Sequence, residues 1–318
     1  MDQPPTWEEM MEKKILAAID GSIFSSNSLD YLIRLFSRDP EFSVDLLGVV
    51  SSAGGDQNWM FDVDPLRNQT PAMDAKTRVA MAYLNDAKKR LLRNGFAEEQ
   101  INIRTEPSHA DIAKTIYFAA MQGKYDALLI GRRGIGKVGE MFFGSVSSRL
   151  VEMCHEVPLW IIDGDITEAR FLLAVHALPV SLLAADHLAF ILHKNQDVEV
   201  LLYHSLQIFG GDPPAPPEDF YERWGKEWCE QHLDLDNNLF GAHARILIEG
   251  GIDRKQIRQL PEQKDIDASH DLLRQANAHR CGTIVLGRRG REASKGWLGG
   301  VSERTMNKAQ DKAVWLIG

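Results

Sequence analysis

Landmarks in this sequence recur at one fixed separation. Asn94-Gly95 and Gly250-Gly251 stand 156 residues apart, and Gln100-Ile101 and Gln256-Ile257 keep the same spacing. Gly131-Arg132-Arg133-Gly134 returns at that offset as Gly287-Arg288-Arg289-Gly290. One residue is then lost, so Val146-Ser147, Arg149 and Trp160 answer to Val301-Ser302, Arg304 and Trp315 at an offset of 155. A period this long exceeds any solenoid unit. It describes a duplicated domain, and 318 residues suffice for two domains of ordinary size. The join falls near 164–169. The expected division is an extension over 1–12, a first domain over 13–165 and a second over 166–318.

Each half alternates between two hydrophobic periods. KILAAID (14–20) and SVDLLGVV (43–50) read as buried strands, followed by INIRT (101–105), DALLIG (126–131) and VPLWIID (157–163). Between them, Leu29, Leu32, Ile33 and Phe36 fall on one helical stripe, as do Ala80, Leu84, Ala87 and Leu91. Asn94-Gly95 supplies a C-cap signal after the second helix. Ser108 and Asp111 resemble a capping box ahead of a helix striped by Ile112, Ile116 and Ala119. Val146, Leu150, Met153 and Cys154 stripe the fourth. The second half offers strands near 170–176, 197–203, 255–260, 283–287 and 312–317. Strict alternation predicts an α/β fold, two tandem doubly wound domains with parallel sheets and helices on both faces.

The segment from Gly131 to Ser145, GRRGIGKVGEMFFGS, carries the chemistry. Glycines allow close approach of backbone N–H groups to an anion. A following helix aims its free N–H groups and positive dipole end at the same point. Arg132, Arg133 and Lys137 add positive charge. Two motif matches fail on context. GRRGIGKV lacks the Ser or Thr that a P-loop needs after its Lys. Gly134, Gly136 and Gly139 spell a dinucleotide fingerprint, but they follow the fourth strand rather than the first.

The third match is GxxG, nine residues, then Gly144-Ser145. With two five-strand units, it resembles the universal stress protein family over nearly the whole chain, from about Lys13 to Gly318. The resemblance implies a five-stranded sheet of order 3-2-1-4-5 in each domain, and ATP at the carboxyl ends of strands 1 and 4, where strand order reverses. It assigns Ala18, Ile19 and Asp20 to the adenosine end, and Val49 or Val50 to the adenine through backbone groups. Ile130 and Gly131 would border the ribose. Arg133 and Gly134 would reach the phosphates, and Gly144, Ser145, Val146 and Ser147 would wrap them. Ser145 and Ser147 equally suit N-capping of the fourth helix, and both roles can hold.

The second half departs from this pattern. His176 stands where Asp20 stands, the Gly-Ser after it is gone, and Gly300 takes the place of Ser145. The resemblance then implies a degenerate second site. Arg288, Arg289, Arg291 and Lys295 keep a basic loop there, suited to another anion or simply a solvated face. Long loops over 51–70 and 205–217 follow strand 2 in each half. Trp59, Met60 and Phe61 in the first suit a lid over the adenine, or cover for a neighbouring surface.

Composition bounds the partners. A net charge of −9 argues against general nucleic-acid binding. No apolar run reaches the ~20 residues of a membrane span, and the N-terminus lacks a signal-peptide core. Cys154, Cys229 and Cys281 show no metal spacing and read as reduced thiols, which together with the rest predicts a cytoplasmic protein. No catalytic constellation is readable. Asp20 is the only acidic residue placed at the first site, so magnesium would rest on the phosphates and water. The reading is an ATP-binding stress protein acting through conformation or protein clients, with slow ATP hydrolysis as its enzymatic limit. An adenine-nucleotide enzyme of a related fold and a nucleotide-free scaffold are the alternatives. In the family, domains pair through their fifth strands. A tandem chain satisfies that pairing internally and leaves a further homodimer open.

Overall fold

A computed structural model describes residues 12–51, 71–108, 111–132, 144–207, 213–235, 237–289 and 300–318. Most of the 51–70 loop, Arg133, Gly134, Lys137, Arg291 and Lys295 lie outside these. The chain divides into two compact units between Val157 and Pro158.

The first unit is built on β1 (Lys13–Ala18), β2 (Phe42–Ser51), β3 (Ile101–Ser108) and β4 (Ala127–Gly131). They lie in the order β3-β2-β1-β4, and every pairing is parallel. The central strands carry apolar residues on both faces because helices cover both faces. Ile15, Leu16, Leu46, Leu128 and Leu129 are all fully buried. The covering helices are α1 (Ile23–Phe36), α2 (Pro71–Arg93), α3 (Ile112–Gln122) and α4 (Ser145–Met153). Leu29, Leu32 and Phe36 turn the predicted stripe of α1 inward, and Leu84, Ala87 and Leu91 do so for α2. Asp111 is itself the N-cap of α3, accepting from the Ala113 and Lys114 amides. The capping signal therefore sits on Asp111 rather than on Ser108, which ends β3.

The second unit contains β5 (Leu159–Ile162), β6 (Arg170–Ala174), β7 (Glu199–Tyr203), β9 (Ile257–Gln259), β11 (Thr283–Gly287) and β12 (Ala313–Ile317). Their order is β9-β7-β6-β11-β12-β5. From β6 onward this is the 3-2-1-4-5 arrangement, and β12 then pairs antiparallel with β5. Three-residue strands β8 (Ser205–Gln207) and β10 (Gln263–Asp265) form a separate pair. The helices are α5 (Pro179–Ile191), α6 (Glu218–Trp224), α7 (Lys226–His232), α8 (Leu239–Glu249), α9 (Ala268–Ala278) and α10 (Val301–Lys308).

Paired landmarks make paired bonds. Gln100 donates to the Asp39 and Phe42 carbonyls at 2.9 and 2.6 Å, while Gln256 donates to those of Asn195 and Val198 at 2.8 Å. Trp160 and Trp315 face each other in the β5–β12 ladder. Their rings stack at 4.0 Å between centroids, fully buried. The three cysteines are buried free thiols, as core packing requires.

Candidate functional site at the ends of β1 and β4

Strand pairing brings the expected residues to one edge. Ala18 is paired with Ile130 on one side and with Leu47 on the other. Ile19 extends β1 by donating its amide to the Leu47 carbonyl at 2.9 Å. Val49, two residues beyond Leu47, lies level with Asp20. It is half-buried, whereas Val50 turns into the core.

Asp20 sits in a turn that fixes its carboxylate. Its Oδ1 accepts from the Ser22 amide at 3.0 Å and from the Ser25 hydroxyl. Its own amide donates to Ser25 Oγ at 3.0 Å. Ser22 then caps α1. The side chain is thus held in place by the helix start it helps to build, and it remains half-exposed.

The glycine-rich loop is closed at its neck. The Gly144 amide donates to the Arg132 carbonyl at 3.2 Å, so α4 begins where β4 ends. Ser147 is buried, and its hydroxyl donates to the Gly131 carbonyl at 3.0 Å. That bond ties helix to strand. The N-cap of α4 is Gly144, which offers no side-chain acceptor to the first amides of the helix. Those amides, with the exposed Ser145 hydroxyl beside them, are the donor set an anion would use. Arg133 and Gly134 lie outside the described residues.

The first glycine of the loop also has a packing role. A Cβ on Gly131 would stand 3.0 Å from Phe24 Cβ and 3.1 Å from its carbonyl carbon, because α1 passes against the end of β4. Gly287 is tighter, since a Cβ there would fall on the backbone of Val180 and Ser181 in α5. Gly287→Ala is expected to cost about 2–3 kcal/mol and Gly131→Ala about 1 kcal/mol, because the added Cβ would press far closer on neighbouring backbone at Gly287 than at Gly131. Urea titrations of the two variants check that order.

Tyr83 on α2 was not legible as a site residue. Its ring would lie 3.0 Å from a Cβ on Gly21, which has φ +77°, and its hydroxyl 3.2 Å from one on Gly48. It therefore spans the ends of β1 and β2. Burial, and then the nearby charge of Asp20, raise its hydroxyl pKa. No sequence pattern on α2 signals this, because the contact depends on two glycines in other elements.

The second unit repeats the turn with different chemistry. The His176 amide donates to Ser181 Oγ at 3.0 Å, as Asp20 does to Ser25. Ser181 also bonds Nε2 of the buried His243 at 2.8 Å. His204 bonds the Val175 carbonyl through Nδ1 at 2.6 Å. Burial first, then the neighbouring His176 and His204, push His243 down to about 3, so it is neutral. Ser302 donates to the Gly287 carbonyl at 3.0 Å, the counterpart of the Ser147 tie. The scaffold is kept while the carboxylate is gone. Among the described residues, no group of three or more His, Cys, Asp or Glu side chains is placed to hold a metal ion.

Residues 11–162 match the universal stress protein family. A universal stress protein, YxiE, of Bacillus subtilis is 26% identical over 151 residues, covering 45% of this chain and 94% of that protein. A universal stress protein of Mycolicibacterium smegmatis is 24% identical over 218 residues, covering 66% of this chain and 67% of its own. In three dimensions the chain is similar to a universal stress protein from Archaeoglobus fulgidus. The TM-score is 0.67 at 17% identity, over 97% of this chain and 99% of that one, a likeness of fold.

Proposed function

The chain belongs to the universal stress protein family through residues 11–162, and on that premise we propose that its first unit binds ATP and acts in stress response as a nucleotide-dependent module. One observation carries the proposal. The fixed carboxylate of Asp20 and the uncapped N-terminus of α4 converge on the adjoining ends of β1 and β4, the crevice where doubly wound sheets take ligands.

The residues fit a nucleoside triphosphate in both halves of its chemistry. Asp20, with Ala18, Ile19, Val49, Ile130 and Gly131 around it, offers an acceptor and apolar strand ends to the nucleoside. Gly144, Ser145 and Val146 offer amides and a hydroxyl to the phosphates, joined in the proposal by Arg133 and Gly134. Ser147 positions these donors by holding α4 to Gly131. Magnesium, if carried, would be held by the nucleotide and water rather than by a cluster of carboxylates. The protein's own part is to bind and orient, and to transmit occupancy to α1 and α4, whose first turns form the site. The second unit keeps the scaffold with histidine in place of the carboxylate, so the proposal is one ATP per chain.

Isothermal titration calorimetry with ATP tests this. The expected stoichiometry is one. Asp20→Asn keeps an acceptor for the Ser22 amide but removes the charge. Gly144→Val places a branched side chain over the α4 amides. Each is expected to weaken binding about tenfold or more, the equivalent of ~1.4 kcal/mol. Binding untouched by both variants would place the nucleotide elsewhere.

A further inference from the structure

A cavity in the second unit lies where the repeat has lost a salt bridge of the first. In the first unit Lys88 on α2 bridges to Glu98 at 3.1 Å, just before β3. The turns there are equivalent, since Glu98–Gln100 and Arg254–Gln256 are both single 3-10 turns leading into the third strand. At the same offset the second unit carries Ala244 for Lys88 and Arg254 for Glu98. One change deletes the long side chain, and the other reverses the charge of its partner. The bridge is gone, and a cavity of about 450 Å³ lies between α8 and β9.

Its lining is two-sided. Phe240, Ile248 and Ile257 give it apolar walls, and Ile248 is among the exposed large apolar residues. Arg245, Arg254 and Arg258 stand at its rim. Arg245 is engaged by Glu249 at 2.6 Å, and Arg258 meets Glu199 at 3.4 Å. Arg254 is exposed and has no ion pair among the described residues. A guanidinium fork over an apolar hollow matches a molecule with an anionic head and an apolar body. The volume lies within the range of small-molecule sites.

We propose that the cavity between α8 and β9 binds a small amphipathic anion, such as a medium-chain carboxylate, through Arg254 and the apolar walls. This site is separate from the ends of β1 and β4 and stands independently of ATP binding.

The test uses the full chain with saturating ATP present, so that the nucleotide site is not the reporter. Anilinonaphthalenesulfonate, a fluorescent amphipathic anion, is the probe. It is expected to bind saturably, and to be displaced by octanoate at least tenfold more effectively than by octanol. The double variant Ala244→Lys with Arg254→Glu restores the bridge of the first unit and is expected to weaken binding at least tenfold. The exposed single change Arg254→Glu carries little folding risk and should weaken it at least threefold. Saturable probe binding that ignores both variants would overturn the assignment. So would equal displacement by octanol, which would reveal a merely apolar surface, or no saturable binding at all.

Discussion

Acidification from about pH 7 to about pH 4.5 is expected to remove roughly 5 kcal/mol of folding free energy from the second unit through two histidines. Burial holds both His187 and His243 down near pH 3, well below the ordinary value of 6.5. A histidine with a depressed folded value takes up its proton more readily when unfolded. Its contribution is therefore fully present above about pH 6.5 and is lost as pH falls from there toward 3. Each costs about 1.4 kcal/mol per pH unit across that window. A total loss of ~5 kcal/mol is a large share of a domain's stability. Asp267, held low mainly against burial by Lys308 and Ser269, adds to the loss only in the more acidic range. The check is a series of urea titrations across pH, with His243→Ala alongside. Alanine is the residue of the first repeat, Ala87, at the same offset. The variant should be less stable at neutral pH through its cavity, yet lose stability less steeply on acidification. An unchanged acid slope would mean that His243 does not carry the effect.

The inner strands of the sheet were legible because they are buried on both faces, whereas the edge strands β3 and β9 are buried only in part. Runs such as LLAV and ALLI need no periodicity argument once Gly and polar residues bound them. The helical stripes of α1 and α2 were legible for the converse reason, since one face of each meets the sheet. What escaped notice was short or conditional. Helices α6 and α7 bury only Phe220 and Cys229 respectively, so neither leaves a stripe. Strand β10, Gln-Lys-Asp, has no apolar residue and exists only through its pairing with β8.

The candidate site was legible in part. Asp20 and Gly144–Ser147 come from sequence spacing and from the family resemblance, and strand pairing brings their elements together. The role of Ser147 was not readable, because a hydroxyl at a helix start suits a cap, a phosphate or a strand carbonyl equally well. Only the fold shows it donating to Gly131. Tyr83 and His243 belong to the same class. Each acts across elements, Tyr83 against Gly21 and Gly48, and His243 against Ser181. Gly131 illustrates the reverse error of emphasis. Its missing side chain faces Phe24, so close packing of α1 already demands glycine there, whatever the loop beyond it binds.

Replacing the stacked tryptophans is expected to show a clear asymmetry. The rings of Trp160 and Trp315 lie 3° from parallel, with the His187 ring set edgewise to both at 5.8 Å. Trp315→Ala removes a fully buried indole that also meets Phe171 at 5.4 Å, and should cost about 3–5 kcal/mol. The phenylalanine variants separate ring from polar group. Trp160 donates its indole N–H to His187 Nε2 at 3.1 Å. Trp160→Phe therefore strands a buried acceptor and should cost about 1–3 kcal/mol beyond the lost volume. The indole N–H of Trp315 is buried without a hydrogen-bond partner among the described residues. Trp315→Phe removes that unsatisfied donor along with the volume, so its penalty should be smaller than that of Trp160→Phe by about the same amount. Denaturant titrations of the pair decide the matter. Equal penalties would mean that the Trp160–His187 hydrogen bond contributes nothing net.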